Sequence, residues 1–242
     1  MTIKAIVTGH SKGLGEGIAA ALLEQGIAVL GVSRGPGMQL TERRAALLTE
    51  SAVDLSDSTA LSAWLAGAAL HDFVQGAATI LLVNNAGTVQ PVGALQDQDP
   101  MDVLRAVTLN VAAPLALAAA VVEVRGDAQC KILHISSGAG RSAYPGWSVY
   151  CATKAALDRH AEAVALDASE GVRCVSLAPG VIDTGMQGEI RSATAAQFPM
   201  LERFIALKEE GGLQSAHATG ADIVTFLLGD GFGSVPVADI RG

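Results

Sequence analysis

Short apolar runs alternate with longer amphipathic segments along most of the chain. The apolar runs, several of which end in glycine, predict β-strands, and the segments between them show helical spacing. The predicted strands are 3–9, 27–33, 51–56, 78–87, 130–136 and 172–180, with a short seventh strand in 233–241. The predicted helices are 13–26, 38–50, 58–74, about 99–124 and about 148–170.

This alternation predicts a parallel sheet that is covered by helices on both faces. Segment 78–87 (ATILLVNNAG) is a continuous apolar run, which is typical of a strand buried on both faces. The sequence contains no linker and no internal repeat, so we predict one doubly wound α/β domain of about seven parallel strands over residues 1–242. Such folds bind ligands at the carboxyl ends of their strands. Polar residues stand at those ends: Thr8, Arg34, Asp54, Asn84, Ser137 and Asp183.

The composition narrows the class of protein. The chain has 242 residues, of which 50% are hydrophobic and 17% charged, so we expect a folded core rather than disorder. The net charge of −8 disfavours a nucleic-acid partner. No uninterrupted apolar run reaches the about 18 residues of a membrane helix, and the first predicted strand starts too early for a signal peptide. Three isolated cysteines and five histidines without common spacing predict a cytoplasmic protein with no metal site.

The segment TGHSKGLG joins the first predicted strand to the first predicted helix. Its glycines allow a sharp turn and close approach to a ligand, and the helix N-terminus offers free N–H groups to a pyrophosphate. The spacing G-x3-G-x-G is neither the general dinucleotide fingerprint nor a P-loop. A tight turn without a ligand would show the same local pattern, but the position after the first strand favours a dinucleotide. The predicted phosphate-binding residues are Gly9, Ser11, Lys12, Gly13, Leu14 and Gly15.

The ribose end of such a cofactor is read after the second strand. An NAD site has an acid about 20 residues past the loop glycines, whereas this chain has Arg34, 21 residues after Gly13. The guanidinium of Arg34 can pair with a 2′-phosphate, and Lys12 can add a second positive charge. Both could instead be solvated surface cations, but together they favour NADPH over NAD. Asp54 either accepts from the adenine amino group or caps a turn.

Tyr150 and Lys154 are four residues apart, so they share one face of a helix. A free tyrosine has a pKa of about 10, and a neighbouring ammonium lowers it. Ser137 ends the fifth strand, where its hydroxyl could hold a substrate carbonyl oxygen while the tyrosine protonates it. Taken alone, the pair also fits an ordinary helix surface, and Ser137 also fits a helix cap.

Six motifs occur in one order along the chain: TGHSKGLG, NNAG, Asn110, ISSGAG, YCATK and APGVIDT. In this order and at these intervals they resemble the short-chain dehydrogenase/reductase superfamily, from about residue 3 to 190. The stretches YPGWSVYCATKAALD, APGVIDTGMQ and VPVADIR are similar to its sepiapterin reductase and benzil reductase branch. The chain lacks the VDGG-type strand at which many relatives end. The resemblance implies a single Rossmann domain and an NAD(P)-dependent oxidoreductase.

The resemblance also implies roles for the matching residues. Tyr150 protonates the carbonyl oxygen, Lys154 lowers the pKa of the tyrosine and bonds the nicotinamide ribose, and Ser137 positions the substrate oxygen. Asn110 holds a water that links Lys154 to solvent; the alternative is a buried polar residue bonded to backbone. The other implied cofactor contacts are Asn84 and Ala86 along the cofactor, Pro179 and Gly180 beneath the nicotinamide, and Ile182 and Thr184 at its carboxamide.

Two segments are expected to line the substrate pocket, 138–149 and a lid at about 183–212. The lid segment has a weak regular pattern and ends in Gly211 and Gly212. Tyr144, Trp147 and Met186 are the predicted pocket residues. We expect Phe198 to pack the lid onto the core instead.

These features predict an NADPH-dependent carbonyl reductase for ketones or vicinal dicarbonyl compounds. The alternatives are an NAD-dependent alcohol dehydrogenase on the same fold and a dinucleotide-binding regulator without catalysis. The helices that start near residues 99 and 148 commonly pair subunits in this superfamily, and their faces are rich in alanine. We therefore expect a homodimer or a homotetramer, with a small-molecule substrate and no nucleic-acid or membrane partner.

Overall fold

A computed structural model of the protein describes residues 2–37 and 45–241. Seven parallel strands form one sheet in the order β3–β2–β1–β4–β5–β6–β7. The order reverses between β1 and β4, which is where a doubly wound sheet opens a crevice for a ligand. The predicted fold is therefore confirmed. The strands are β1 Ile3–Thr8, β2 Ala28–Ser33, β3 Leu48–Ala52, β4 Thr79–Asn84, β5 Gln129–Ile135, β6 Val172–Ala178 and β7 Val237–Asp239.

Helices cover both faces of the sheet. Several begin at side-chain caps: Asp57 accepts from the N–H groups of Thr59 and Ala60, and Ser215 accepts from that of Ala218. The helices among the described residues are α1 Gly13–Glu24, α2 Ser58–Leu65, α3 Ala69–Val74, α4 Pro100–Val124, α5 Ser148–Asp167, α6 Gly185–Arg191, α7 Leu201–Glu209 and α8 Ala216–Leu228.

The two hydrophobic cores lie on opposite faces of the central strands. Val7 and Val83 belong to the core under α1 and α8, whereas their neighbours Ile6 and Leu82 belong to the core under α2 to α5. Successive side chains of a strand point to opposite faces, so a strand buried on both faces must be apolar throughout. This explains the continuous apolar runs in the sequence.

The prediction of a helix over residues 38–50 was wrong where it can be compared. Residues 38–44 lie outside the described residues, but Leu48, Thr49 and Glu50 form the first part of β3 and pair with β2. As an edge strand, β3 lacks the apolar run that marked the central strands, so its start was predicted three residues late. The predicted helix 58–74 is also divided into α2 and α3.

Helix α8 was not predicted, and it packs against α1 at glycines. A Cβ on Gly17 would lie 2.3 Å from the carbonyl oxygen of Ala216, and a Cβ on Gly220 would lie 2.4 Å from the carbonyl carbon of Gly17. Side chains at these positions would separate the two helices. Close packing of α8 therefore depends on glycines that carry no hydrophobic signal in the sequence.

Helix α4 contains one π-helical turn, Thr108–Ala112, in which the Ala113 N–H donates to the Thr108 carbonyl. The turn lies just before Pro114, which has no N–H to continue an α-helical ladder. By length and composition α4 is apolar enough to cross a membrane, with a mean hydropathy of 1.9 over 18 residues. The helix of a buried core meets the same test, and Leu117 and Val121 of α4 are fully buried against the sheet.

Candidate active site

A cavity of about 1040 Å³ opens at the carboxyl ends of the central strands. One part is lined by the loop after β1 and by the ends of β2 and β4, and the other part by aromatic side chains before α5 and within the lid segment. The cavity therefore lies where the sheet order predicts a ligand site. The predicted site residues that line it are Gly9, Ser11, Lys12, Gly13, Leu14, Arg34, Asp54, Ala86, Ser137, Tyr144, Trp147, Tyr150, Lys154, Pro179, Gly180, Ile182, Thr184 and Met186.

The loop between β1 and α1 is built for close backbone approach. Gly9 and Gly13 have φ values of 68° and 59°, in the left-handed region that favours glycine. A Cβ on Gly15 would lie 2.2 Å from the Gly9 carbonyl oxygen and 2.4 Å from the Asn85 amide nitrogen. Gly15 therefore acts through loop packing rather than by lining the cavity. The loop has room for a pyrophosphate at the start of α1 only because these three positions lack side chains.

Asn85, within the NNAG motif, braces this loop. Its side-chain amide donates to the carbonyls of Thr8 and Gly9 at 3.0 and 3.3 Å. The Thr8 hydroxyl in turn accepts from the main-chain N–H groups of Asn85 and Ala86, both at 3.0 Å. Asn84 itself does not line the cavity, since its side chain is buried and donates to the Pro114 carbonyl, whereas Ala86 from the same predicted region does line it.

Arg34 and Lys12 are exposed cations that line the cavity at the ends of β2 and β1. Asp54 lies close enough to Arg34 to feel its charge. Hydrogen bonds from the Ser56 hydroxyl and N–H hold the pKa of Asp54 below its usual value. Asp54 is thus both a turn residue and an ionised acceptor at the cavity wall, so the two interpretations of this residue are compatible.

Tyr150 and Lys154 lie one turn apart on α5, and both are at least nine-tenths buried. The Lys154 ammonium lies 5.6 Å from the centre of the Tyr150 ring and donates to the Ile135 carbonyl at 2.7 Å. Burial raises the pKa of Tyr150 to about 12, against a hydrogen bond from Ser137 that lowers it. Burial lowers the pKa of Lys154 to about 8, and the charge of Asp158 opposes that change. At neutral pH the pair is therefore a protonated phenol beside an ammonium.

The resulting pKa of Tyr150 differs from the expected direction. The neighbouring ammonium was expected to lower it, but desolvation of a fully buried phenol dominates. A protonated phenol is the form that a proton donor needs.

Asn110 occupies the π-helical turn of α4, and its side chain is held on both sides. Its Oδ1 accepts from the Thr88 N–H at 2.9 Å, and its Nδ2 donates to the Thr88 carbonyl at 2.8 Å and to the Thr153 hydroxyl at 3.1 Å. A Cβ on Gly87 would lie 3.2 Å from this Oδ1 and 3.7 Å from the Lys154 ammonium. Asn110 thus braces the segment beside Lys154. Its expected contact with a water molecule remains a prediction.

The other part of the cavity is aromatic. Trp147 lies edge-on to Tyr150, with ring centroids 5.3 Å apart, and stacks on Phe198 at 4.5 Å. Phe198 is fully buried, as expected for a residue that packs the lid onto the core. Ile190, Phe204 and Leu207 also line the cavity; they lie within the segment expected to line it but were not singled out as pocket residues. The spacing of Leu201, Phe204 and Leu207 was the available signal, since it places one apolar face on α7.

A pair of histidines, His134 on β5 and His160 on α5, was also not foreseen from the sequence. Potential ligand atoms of His134, His160 and Cys174 lie within 4.8 Å of one another. The Asn84 amide donates to His134 Nδ1, so His134 Nε2 carries the proton that it donates to His160 Nδ1 at 3.0 Å. Both nitrogens of His134 are therefore used by protein partners. This arrangement accounts for the cluster without a metal ion.

The described residues fit a nicotinamide dinucleotide. The glycine-lined loop would offer main-chain N–H groups to its phosphates, Asp54 and Arg34 would hold its adenosine end, and Lys154 beside Tyr150 would hold its nicotinamide ribose. The same cavity extends to the aromatic rings of Tyr144, Trp147 and Phe204. The arrangement can hold a dinucleotide and present a proton donor to a neighbouring substrate.

The comparisons with known proteins agree with this geometry. Residues 4–195 match the short chain dehydrogenase family. A benzil reductase ((S)-benzoin forming) of Bacillus cereus is 36% identical over 218 residues, which cover 87% of this chain and 88% of that protein. A sepiapterin reductase of Xenopus tropicalis is 30% identical over 250 residues, which cover 96% and 94%. The crystal structure of a short-chain dehydrogenase/reductase from Burkholderia vietnamiensis is 48% identical with a TM-score of 0.73, covering 99% and 97%. The chain therefore belongs to the short-chain dehydrogenase/reductase family and is an NAD(P)-dependent oxidoreductase.

Proposed function

We propose that the protein is an NADPH-dependent carbonyl reductase that reduces a ketone or a vicinal diketone, with Tyr150 as the proton donor. The observation that carries the proposal is the surroundings of Tyr150, which has the Lys154 ammonium 5.6 Å from its ring centre and the Trp147 ring 5.3 Å away. The phenol thus lies between two parts of the cavity: the glycine-lined part that would hold the dinucleotide, and the aromatic part around Trp147, here called the aromatic chamber. The relatives named benzil reductase and sepiapterin reductase support the substrate class.

Different residues around the cavity carry out different steps of the reduction. Bound NADPH supplies the hydride that reaches the carbonyl carbon. Tyr150 gives its proton to the carbonyl oxygen, and the Ser137 hydroxyl donates a hydrogen bond to the same oxygen. The Lys154 ammonium stabilises the negative charge that the phenol oxygen gains as the proton leaves. The apolar wall at Trp147 excludes water from this oxygen.

The preference for NADPH rests on charge. Arg34 and Lys12 are cations at the cavity, and the sequence has no acid in place of Arg34 to bind a ribose hydroxyl. A guanidinium that pairs with a 2′-phosphate contributes a charge-assisted hydrogen bond. NADH lacks this phosphate and gains nothing from the two cations.

The cofactor preference can be tested by comparing Arg34→Ser with Arg159→Ser. Arg159 is an exposed α5 residue paired with Glu162, so it controls for the loss of a surface charge. We expect Arg34→Ser to lower kcat/KM for NADPH by roughly 10- to 100-fold, the worth of a charge-assisted hydrogen bond, with little change for NADH. Arg159→Ser should behave as wild type. A wild type that prefers NADH would make the protein an NAD-dependent dehydrogenase instead.

The substrate class can be tested with a panel of carbonyl compounds. Benzil, smaller 1,2-diketones, pterin ketones and simple monoketones are mixed with protein and NADPH, and the absorbance of the reduced nicotinamide is followed. We expect the highest kcat/KM for aromatic vicinal diketones, because the chamber is walled by Trp147, Tyr144 and Phe204. Tight binding of NADPH without turnover of any compound would contradict the proposal and indicate a non-catalytic regulator.

We also propose that the protein forms a homodimer or a homotetramer through α4 and α5. Met101, Leu104 and Val107 form an apolar face on α4 and are 55%, 58% and 41% exposed. Light scattering should give a multiple of 24.6 kDa for the wild type. Leu104→Glu should give a smaller species, whereas Ala63→Glu on the exposed face of α2 should not. A monomeric wild type would contradict this proposal.

A further inference from the structure

A buried carboxylate lies directly beneath the catalytic lysine. Asp158 follows Lys154 by one turn of α5 and is 7% exposed. Its Oδ1 accepts from the hydroxyls of Ser136 and Ser176 at 2.7 and 2.6 Å. Its Oδ2 lies 3.4 Å from Nε of Arg141. The carboxylate thus joins α5 to the ends of β5 and β6 and to the loop that follows Ser137.

The loop after Ser137 packs so closely against the Asp158 carboxylate that it has no space for a side chain at Gly140. A Cβ on Gly140 would lie 2.8 Å from Asp158 Oδ2 and 3.0 Å from the carbonyl carbon of Lys154. The adjacent Arg141 also donates to the Ala238 carbonyl in β7 at 2.8 Å. The position of Ser137 is therefore set by a segment whose two flanking residues, Ser136 and Gly140, both contact Asp158.

Few charged groups lie where they could stabilise the protonated form of the buried Lys154. Its direct hydrogen bond goes to the neutral carbonyl of Ile135. His134, from β5, is also neutral, because burial first, and then His160 and Lys154, lower its pKa to about 3. Among the described residues, the titratable or charged groups around Lys154 and Asp158 are Tyr150, Asp158 and His160 on α5, His134 on β5, and Arg141 with the neighbouring Asp239.

We propose that Asp158 is a positioning residue for the catalytic pair, which keeps Lys154 charged and fixes the segment that carries Ser137. The inference rests on the proposed roles of Tyr150 and Lys154. Asp158 acts on the reaction only through them, since it does not line the cavity. Desolvation lowers the pKa of Lys154 and so favours its neutral amine, and the Asp158 carboxylate one helical turn away offsets part of that change. The two serine hydroxyls hold the carboxylate in place so that its charge stays near Lys154.

The test is a direct titration of Lys154 in Asp158→Asn. The chain has five lysines, so ¹³C-labelled lysine gives a spectrum in which Lys154 can be assigned with Lys154→Arg. We expect Asp158→Asn to lower the pKa of Lys154 by about one unit, as for the loss of a nearby opposite charge. Ser176→Ala removes one hydrogen bond but no charge, and it should leave this pKa within a few tenths. An unchanged Lys154 titration in Asp158→Asn overturns the proposal.

A second variant covers the case in which Asp158→Asn fails to fold. Asp158→Ser also removes the negative charge but leaves a small hydroxyl beside Ser136 and Ser176, so it should lower the pKa of Lys154 as well. An unchanged pKa of Lys154 in Asp158→Ser would then overturn the proposal.

Turnover gives an independent measurement. With a one-unit shift, kcat/KM for reduction falls about fivefold at pH 8 and almost not at all at pH 6, because Lys154 is charged in both proteins at the lower pH. A purely structural role would lower kcat/KM equally at both pH values and would overturn the electrostatic part. Because the NMR titration needs no substrate, it still decides the proposal if no carbonyl compound is turned over.

Discussion

The two parts of the cavity are built in different ways. The cofactor part is made by main chain: glycines at positions 9, 13 and 15, with Asn85 and Thr8 bracing them. The substrate part is made by large side chains, in which Trp147 packs against Phe198 and Phe204. Main-chain geometry needs particular residues at particular spacings, whereas an apolar wall can be assembled from many side chains. Substitutions in the two parts should therefore affect different kinetic constants.

Among substitutions that separate the two parts of the cavity, the largest effect is expected from adding a methyl group in the cofactor part. In Gly15→Ala the new Cβ would meet the Gly9 carbonyl oxygen at 2.2 Å, so the phosphate loop has to move. We expect the dissociation constant of NADPH to rise by more than about 100-fold, the loss of two charge-assisted hydrogen bonds. Fluorescence titration measures this constant, and the melting temperature shows whether the fold survives.

Gly188→Ala is the matched control in segment 183–212. Gly188 lies on α6, and a Cβ there would have nothing within 4 Å. Binding of NADPH should stay at the wild-type value. If both variants lost NADPH binding equally, or if neither did, the proposed difference between the main-chain cofactor part and the side-chain substrate part would be contradicted.

The next largest effect is expected from a change of pH, which acts on Lys154 between the two parts of the cavity. The ammonium of Lys154 is present below its pKa of about 8 and is lost as the pH rises through that value. Since Lys154 assists proton transfer only when charged, kcat/KM for reduction should be flat below about pH 8 and fall by up to about tenfold per unit above it. Binding of NADPH to the main-chain cradle should change less. A rate of reduction that rises with pH in this range would contradict the assignment.

The smallest of these effects is expected in the aromatic wall. Phe204→Leu shortens a wall residue that is 7% exposed, and its neighbours can partly fill the space. We expect the KM for an aromatic diketone to rise about fivefold, corresponding to about 1 kcal/mol of lost contact, while KM for NADPH stays constant. Phe226→Leu, a partly buried residue of α8 outside the cavity, should leave both constants unchanged. An equal rise in both KM values would show that Phe204 supports the whole cavity.

The same contrast explains what could be predicted from the sequence. The strands, the phosphate loop and the pair Tyr150 and Lys154 depend on local spacing, so they could be located before the structure was known. The start of edge strand β3 and the whole of helix α8 could not, because β3 lacks a continuous apolar run and α8 packs through Gly17 and Gly220.

The site shows a similar division. Phe204 was not singled out within segment 183–212, because its place in the cavity wall depends on a contact with Trp147 that is distant in sequence. Asn85 was not singled out within the NNAG motif, since only the structure shows that its side-chain amide bonds the loop after β1. Asp158 had no signal at all, because its partners Ser136, Arg141 and Ser176 are separated from it by more than ten residues of sequence.

The most direct test of the central claim is the reduction of benzil by NADPH in wild type and in Tyr150→Phe. The variant keeps the ring that packs edge-on against Trp147 and removes only the hydroxyl that gives the proton. We expect the wild type to oxidise NADPH with stoichiometric formation of benzoin, and kcat in Tyr150→Phe to fall by about 10²- to 10⁴-fold with unchanged NADPH binding. Undiminished turnover in Tyr150→Phe would contradict the account.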